Sequence, residues 1–493
     1  MYVPGQRVSR DKHTRIFLAI LGLLSCFGAD IVQAQALKVR ITVTSLSPAA
    51  VLIEGEGPPA DSWSFGNTYG GITGLGERIE HFSAVGSDNN DVAVREVAPG
   101  EFRASRKASR FRYEIEAGER PRLAEMSHVS WLNKERGFLM LADLLPLAGR
   151  GTPTAGPTVI EFKLPADWTI ATDLRPDENQ QYLVSQKDTA VFYVGSLLRE
   201  KKIRVDSMEL ILITSGEWAF ADDEAVKLAG EVIKQYAKLT KYRLPGRSAL
   251  MLAPFSGSIG PDRWSAETRG SSTVLMLGRN GNRRAMLSRL GVVLTHELFH
   301  LWVPNALALD GDYDWFFEGF TLYQALITAL RLKLIDFEDY LDTMSRVYDS
   351  YLSLPDRDRF SLIEASERRW TASPSFIYDK GMLVAFVYDL MLRQDSRNRA
   401  SLANIYRQLF TGSAGGRRNA NEVIMSLLNR PDGMNGFGER YIRSPIPVGL
   451  KALLAPYGLR VETTNFRTRI VVDKELGAAQ RSLLRSLGYR PNG

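Results

Sequence analysis

Apolar and polar side chains alternate with period two at Leu37-Lys38-Val39-Arg40-Ile41-Thr42-Val43, the mark of a strand with one buried face. Short apolar runs recur at residues 111–115, 137–142, 159–162, 190–194 and 208–214, divided by Gly and Pro. No long helical pattern interrupts them, so residues 35–215 read as a β-rich domain. The period then changes. Residues 222–239 place apolar side chains at helical spacing and open on acids, which suit a helix N-terminus. Strands are expected at 249–254 and 272–277, and helices at 284–302, 315–334, 337–352, 380–392, 402–409 and 422–428. The expected fold class is α+β: an N-terminal β-rich domain followed by a mostly helical domain over 216–465, with a C-terminal tail at 466–493.

The start of the chain reads differently. Arg7, Arg10, Lys12 and Arg15 precede the apolar run 16–27, and small-residue cleavage patterns follow at Val32-Gln33-Ala34 and Ala34-Gln35-Ala36. This is the layout of a secretory signal peptide over 1–34, and it implies an exported, periplasmic or secreted protein. The run is shorter than the about 20 apolar residues that a membrane span needs. Cys26, the single cysteine, rules out a disulfide framework and a thiolate zinc cluster. Leu23-Leu24-Ser25-Cys26 also fits a lipoprotein cleavage site, and membrane contact is expected only if Cys26 is lipidated. Otherwise Cys26 is one more apolar residue of the signal.

Composition narrows the class. The chain has 493 residues, 44% hydrophobic and 24% charged, which is an ordinary globular balance. A net charge of +6 is small for this length and gives no support for nucleic-acid binding. The basic stretch at 103–112 is followed by Glu114, Glu116 and Glu119, and it reads as a solvated strand face.

Past the leader only four histidines remain: His81, His128, His296 and His300. The last two lie in His296-Glu297-Leu298-Phe299-His300, which is HExxH. Residues i and i+4 share one helix face, so both imidazoles can reach one metal ion. Glu297 falls about 100° further round the helix, beside the metal rather than on it. Catalytic zinc takes three protein ligands, so one is missing. Glu318 lies in the aromatic run Trp315-Phe316-Phe317-Glu318-Gly319-Phe320, where a lone carboxylate is costly unless paired or bound to metal.

HELFHLW, then WFFEGFT, then Tyr378-Asp379-Lys380-Gly381, together resemble the gluzincin metallopeptidases, and within them the glycyl aminopeptidase family. The stretch FGERYIRSPIPVGLKALLAPYGLRVE is similar to the end of that family's catalytic part. The resemblance implies a thermolysin-like zinc peptidase domain. It implies that His296, His300 and Glu318 bind Zn2+, that Glu297 is the general base, and that Tyr378 hydrogen-bonds the oxyanion. Three departures stand out. Trp302 is followed by Val303-Pro304-Asn305, where the family has Asn directly. After Glu462 too little chain remains for the PDZ domain that the family often carries. The family's substrate strand, Gly-Gly-Leu-Glu-His, grips the substrate amine through its Glu. Here the ungapped position is Thr268, and Glu267 stands one place early, on the opposite face of a strand. Both Glu267 and Thr268 are candidate substrate-binding residues.

Asp310, Asp312 and Asp314 have the spacing that opens a calcium loop, but Trp315 replaces the required glycine, so no calcium is expected. These acids fit a solvated loop or support for a metal-bound histidine. The expected activity is zinc-dependent hydrolysis of peptide bonds in peptide or protein substrates, as an aminopeptidase. A zinc endopeptidase and a catalytically inactive peptidase-like binding scaffold are the alternatives. The intact Glu297 argues against the scaffold.

Overall fold

Strands that are apolar at every position have two faces to bury, and this chain buries them by stacking three sheets under a layer of helices. The computed structural model describes residues 36–149, 156–368, 374–412, 417–431, 433–465 and 467–490. The expected signal peptide and Cys26 lie outside the described residues. Among those described, no helix is long and apolar enough to cross a membrane.

An outer nine-stranded sheet is built on Leu37–Leu46, Ala49–Ser64 and Glu101–Glu116. The basic stretch within Glu101–Glu116 is largely exposed, as a solvated face should be. A middle four-stranded sheet contains Arg136–Met140 and Val191–Gly195, which pair antiparallel. Its residues alternate between two cores. Leu139, Phe192 and Val194 face the outer sheet, while Phe138, Met140, Val191 and Tyr193 face inward.

The inner sheet has five strands: β1 (Arg199–Val205), β2 (Met208–Thr214), β3 (Gly246–Pro254), β4 (Trp264–Arg269) and β5 (Ser272–Leu277), in the order β1-β2-β3-β5-β4. Ile211, Ile213, Met251 and Met276 pack on the middle sheet. Leu210, Leu212, Leu250 and Leu275 pack on the helices. Those helices include α1 (Asp222–Thr240), α2 (Arg283–Glu297), α3 (Thr321–Arg331), α4 (Phe337–Ser353), α5 (Pro374–Asp395) and α6 (Ala478–Ser486).

Two expectations meet a different arrangement. The expected boundary at 215/216 falls inside one sheet, because β2 pairs in parallel with β3 and antiparallel with β1. By hydrogen bonding the second unit begins at Arg199. An apolar run such as 208–214 announces a buried strand without saying which sheet it joins. The expected tail is folded over 467–490. Arg467–Val472 pairs with Leu459–Thr464, and its Thr468 N–H donates to the Asp349 carboxylate at 2.9 Å. Leu483 and Leu484 of α6 are buried in the helical core.

Truncation of Leu484 tests whether this segment carries load. Leu484→Ala should lower stability by about 2–5 kcal/mol, read by urea denaturation, as for a core leucine. A change within about 0.5 kcal/mol would mean that α6 merely rests on the surface.

Candidate metal centre

α2 starts at Asn282, whose side-chain oxygen accepts the Ala285 N–H at 2.9 Å. Its last turn presents His296 and Glu297, and the chain then tightens into a 3-10 turn, Leu298–Leu301, that carries His300. Phe299 stacks on Tyr236 of α1 with 4.2 Å between ring centres, and the Tyr236 hydroxyl donates to the Thr295 carbonyl. These contacts fix the end of the helix.

Trp315–Phe320 winds as a π-helix and runs directly into α3. Such wide turns recur at functional sites because they re-aim a side chain. Here the turn carries Glu318. α5 approaches it backbone to backbone: a Cβ on Gly319 would fall 2.6 Å from the Gly381 Cα and 2.9 Å from the Ile377 carbonyl. Glycine at both positions therefore sets the first turns of α5, with half-buried Tyr378, against the turn bearing Glu318.

Three ligand atoms converge. The Nε2 atoms of His296 and His300 are 3.1 Å apart, and Glu318 Oε2 lies 3.5 Å and 3.6 Å from them. A triangle with these sides has a point roughly 2 Å from all three corners, the length of a zinc bond to imidazole or carboxylate. His300 Nδ1 donates to the Val303 carbonyl at 2.9 Å, which leaves Nε2 with a free lone pair. His296 Nδ1 is buried without a hydrogen-bond partner among the described residues. Two imidazoles and one carboxylate fit a divalent cation in charge, number and spacing.

Glu297 stands beside this triangle, 4% exposed. Burial above all pushes its carboxyl up to about 7; Glu318 adds to the rise, while His300 and a hydrogen bond from Thr268 oppose it. A divalent cation on the three ligands would favour the ionised form further.

β4 divides the two substrate-strand candidates between opposite faces. Thr268 faces α2, and its Oγ1 lies 2.8 Å from the Glu297 carbonyl and 3.2 Å from Glu297 Oε2. Glu267 faces the β-rich unit. Its Oε1 accepts from the Tyr69 hydroxyl, and its Oε2 accepts from His128 Nδ1 at 2.7 Å and Arg269 Nη2 at 3.1 Å. Arg269 Nε is 3.0 Å from Oε1, an ion-pair contact too bent for a hydrogen bond. The Arg269 guanidinium also lies over the Tyr69 ring at 4.2 Å. Glu267 thus accepts three hydrogen bonds and has a charged contact as a fourth polar partner. Sequence reasoning missed Tyr69, His128 and Arg269. The one available signal was His128, a histidine left without a role. Of the three aspartates, Asp310 pairs with Arg417 at 2.9 Å.

Comparison with known proteins agrees with this architecture. Residues 289–384 match the model described as M61 glycyl aminopeptidase, a span that takes in His296, Glu297, His300, Glu318 and Tyr378. Residues 68–194 match the peptidase M61 N-terminal domain, which takes in Tyr69 and His128. No curated protein matches the chain. A crystal structure of an aminopeptidase N family protein from Idiomarina loihiensis shares the fold, with a TM-score of 0.72 at 18% identity over 87% of this chain and 79% of that one. The family models support a peptidase. Both matched segments are similar to the M61 glycyl aminopeptidase family.

The Glu267 cluster makes a prediction about stability. Glu267→Ala leaves Arg269 buried without its carboxylate, and breaking such a pair costs about 3–5 kcal/mol. Burial raises the Glu267 pKa, but Arg269 and His128 outweigh it and hold the group at about 2, below its ordinary 4.5. A depressed carboxylate stabilises the fold above its unfolded pKa and ceases to do so as pH falls through the folded one. The gap between wild type and Glu267→Ala in urea unfolding should be full at pH 7 and shrink below about pH 4.5. A gap independent of pH would mean that the loss is one of packing.

Proposed function

We propose that this protein is an exported, zinc-dependent peptidase with a thermolysin-like catalytic domain, acting as an aminopeptidase. The observation that carries the reading is the triangle of His296, His300 and Glu318 with a buried glutamate, Glu297, at its side. Zinc, when bound by these three residues, supplies Lewis acidity toward the scissile carbonyl and toward water. Glu297 takes the proton from the attacking water and returns it to the leaving amine. Tyr378, set against the turn that carries Glu318, donates to the developing oxyanion. The family match supports aminopeptidase action. Export rests on the leader at 1–34, and amino-terminal sequencing of the mature protein should begin at Gln35.

Metal content and turnover test the core of this reading. Purified protein should carry about one zinc per chain, and His300→Ala should lose most of it. Glu297→Gln should keep the zinc and the fold while turnover falls by about 10²–10⁴. Full zinc occupancy in His300→Ala, by elemental analysis, would remove the ligand assignment. Loss of zinc from Glu297→Gln would make Glu297 a structural residue.

Tyr378→Phe should lower kcat by about 10²–10³ with a modest change in KM, since one oxyanion donor is removed. An unchanged kcat on a substrate limited by chemistry would leave Tyr378 as packing. Comparison of one peptide with and without an N-acetyl group tests the aminopeptidase reading. The blocked peptide should resist cleavage, and equal rates would leave peptidase standing without the amino-terminal restriction.

A further inference from the structure

The strand beside the site gives its catalytic-side face to Trp264, Ala266 and Thr268, whose cross-strand partners Leu277 and Leu275 point into the helical core. Thr268 is paired across the ladder with Thr273, and their hydroxyls are 3.0 Å apart. Thr273 is fully buried. A threonine hydroxyl has one proton to give and two lone pairs to receive. Thr273 can therefore donate into Thr268, leaving the single Thr268 proton between two acceptors of Glu297, its main-chain carbonyl at 2.8 Å and its carboxylate Oε2 at 3.2 Å. Among the described residues, Thr268 makes the one hydrogen bond to the Glu297 carboxylate. The adjacent acid, Glu267, is turned to the other face and engaged there by Tyr69, His128 and Arg269.

We propose that Thr268 is the positioning residue of Glu297. Its hydroxyl, backed by Thr273, fixes one carboxylate oxygen and orients the other for proton transfer. The proposal rests on the reading of Glu297 as the general base. The physical argument is local. Glu297 sits at the end of a helix, where its side chain has several rotamers. A buried carboxylate with no donor is costly, so it moves toward whatever donor or water it can find. A strand hydroxyl is a rigid donor, because Thr268 has one torsion and its backbone is fixed in the sheet. Misplacing a reacting group by about 1 Å can cost 10²-fold.

The test uses Thr268→Val, which keeps shape and removes the hydroxyl, and Thr268→Ser, which keeps the hydroxyl and removes the methyl. In the full-length zinc-loaded protein, Thr268→Val should lower kcat by about 10–100-fold with KM and zinc content unchanged. Thr268→Ser should stay within a few-fold of wild type. Crystal structures of metal-free wild type and Thr268→Val supply a readout independent of turnover. The Glu297 carboxylate should shift or split into two conformers in the variant, while His296, His300 and Glu318 stay in place. If Thr268→Val does not fold, Thr268→Ala carries the same comparison. A raised KM at constant kcat would overturn the proposal and make Thr268 a substrate contact. Equal losses in Val and Ser, or an unmoved carboxylate in the variant crystals, would also overturn it. If wild type hydrolyses no peptide while the variant crystals show the carboxylate released, the peptidase reading falls and the positioning contact stands.

Discussion

Three electron-rich atoms held within 3.6 Å of one another repel unless a cation lies among them, and the helical half of the chain is arranged to impose that proximity. His296 and His300 arrive on one helix end that tightens into a 3-10 turn, and that end is fixed by stacking on α1. Glu318 arrives on a π-turn wedged against α5 at a glycine–glycine contact. None of these local features is the most stable choice for its segment in isolation. Short 3-10 and π stretches have poorer hydrogen-bond geometry than the α-helix they interrupt. The deep aromatic packing of Trp302, Trp315, Phe316 and Phe320 offsets that local cost.

The three stacked sheets serve the same end from the other side. An edge strand set against the site must be rigid, and β4 obtains rigidity from both layers it separates. Thr268 reaches toward the helix that carries Glu297, and Glu267 and Arg269 tie the strand to Tyr69 and His128 of the β-rich unit. Asn305, just past the metal-binding turn, donates to the Gly270 carbonyl at 2.9 Å and ties the strand's far end to the same region. Strand alternation therefore separates two tasks on neighbouring residues, and the two could not be exchanged without moving a buried charge across the sheet.

What was legible in the sequence follows from how local each signal is. His296, Glu297 and His300 lie within one helical turn or so, where spacing alone dictates a shared face, and Glu318 stood out as an acid among aromatics. The β-to-helix switch near residue 222 was also a matter of period, and the structure starts α1 there. The partition of strands was not legible. The run at 208–214 is apolar throughout because both of its faces are covered, and that pattern is silent about which sheet covers them. The Glu267 cluster was invisible for a different reason. It joins residues 139 and 198 positions apart in sequence, and no periodicity spans such distances. Residues 467–490 looked like a tail because a two-stranded ribbon and one short helix leave few apolar positions to count.

Electrostatics connects the strand to the chemistry. Glu297, Glu318 and Glu267 place three carboxylates in one region, and like charges raise one another's pKa. Glu267 raises that of Glu297, so an uncompensated Glu267 would push the base toward its neutral form. Arg269, buried on the same strand face, pairs with Glu267. The clamp between the β-rich unit and the catalytic layer is thus also a charge balance. Thr268 acts in the same sense from the opposite face, since a hydroxyl proton directed at Glu297 favours the ionised carboxylate. The strand beside Glu297 thus opposes the effect of burial on that carboxyl through Thr268 and holds the neighbouring acid paired on its other face.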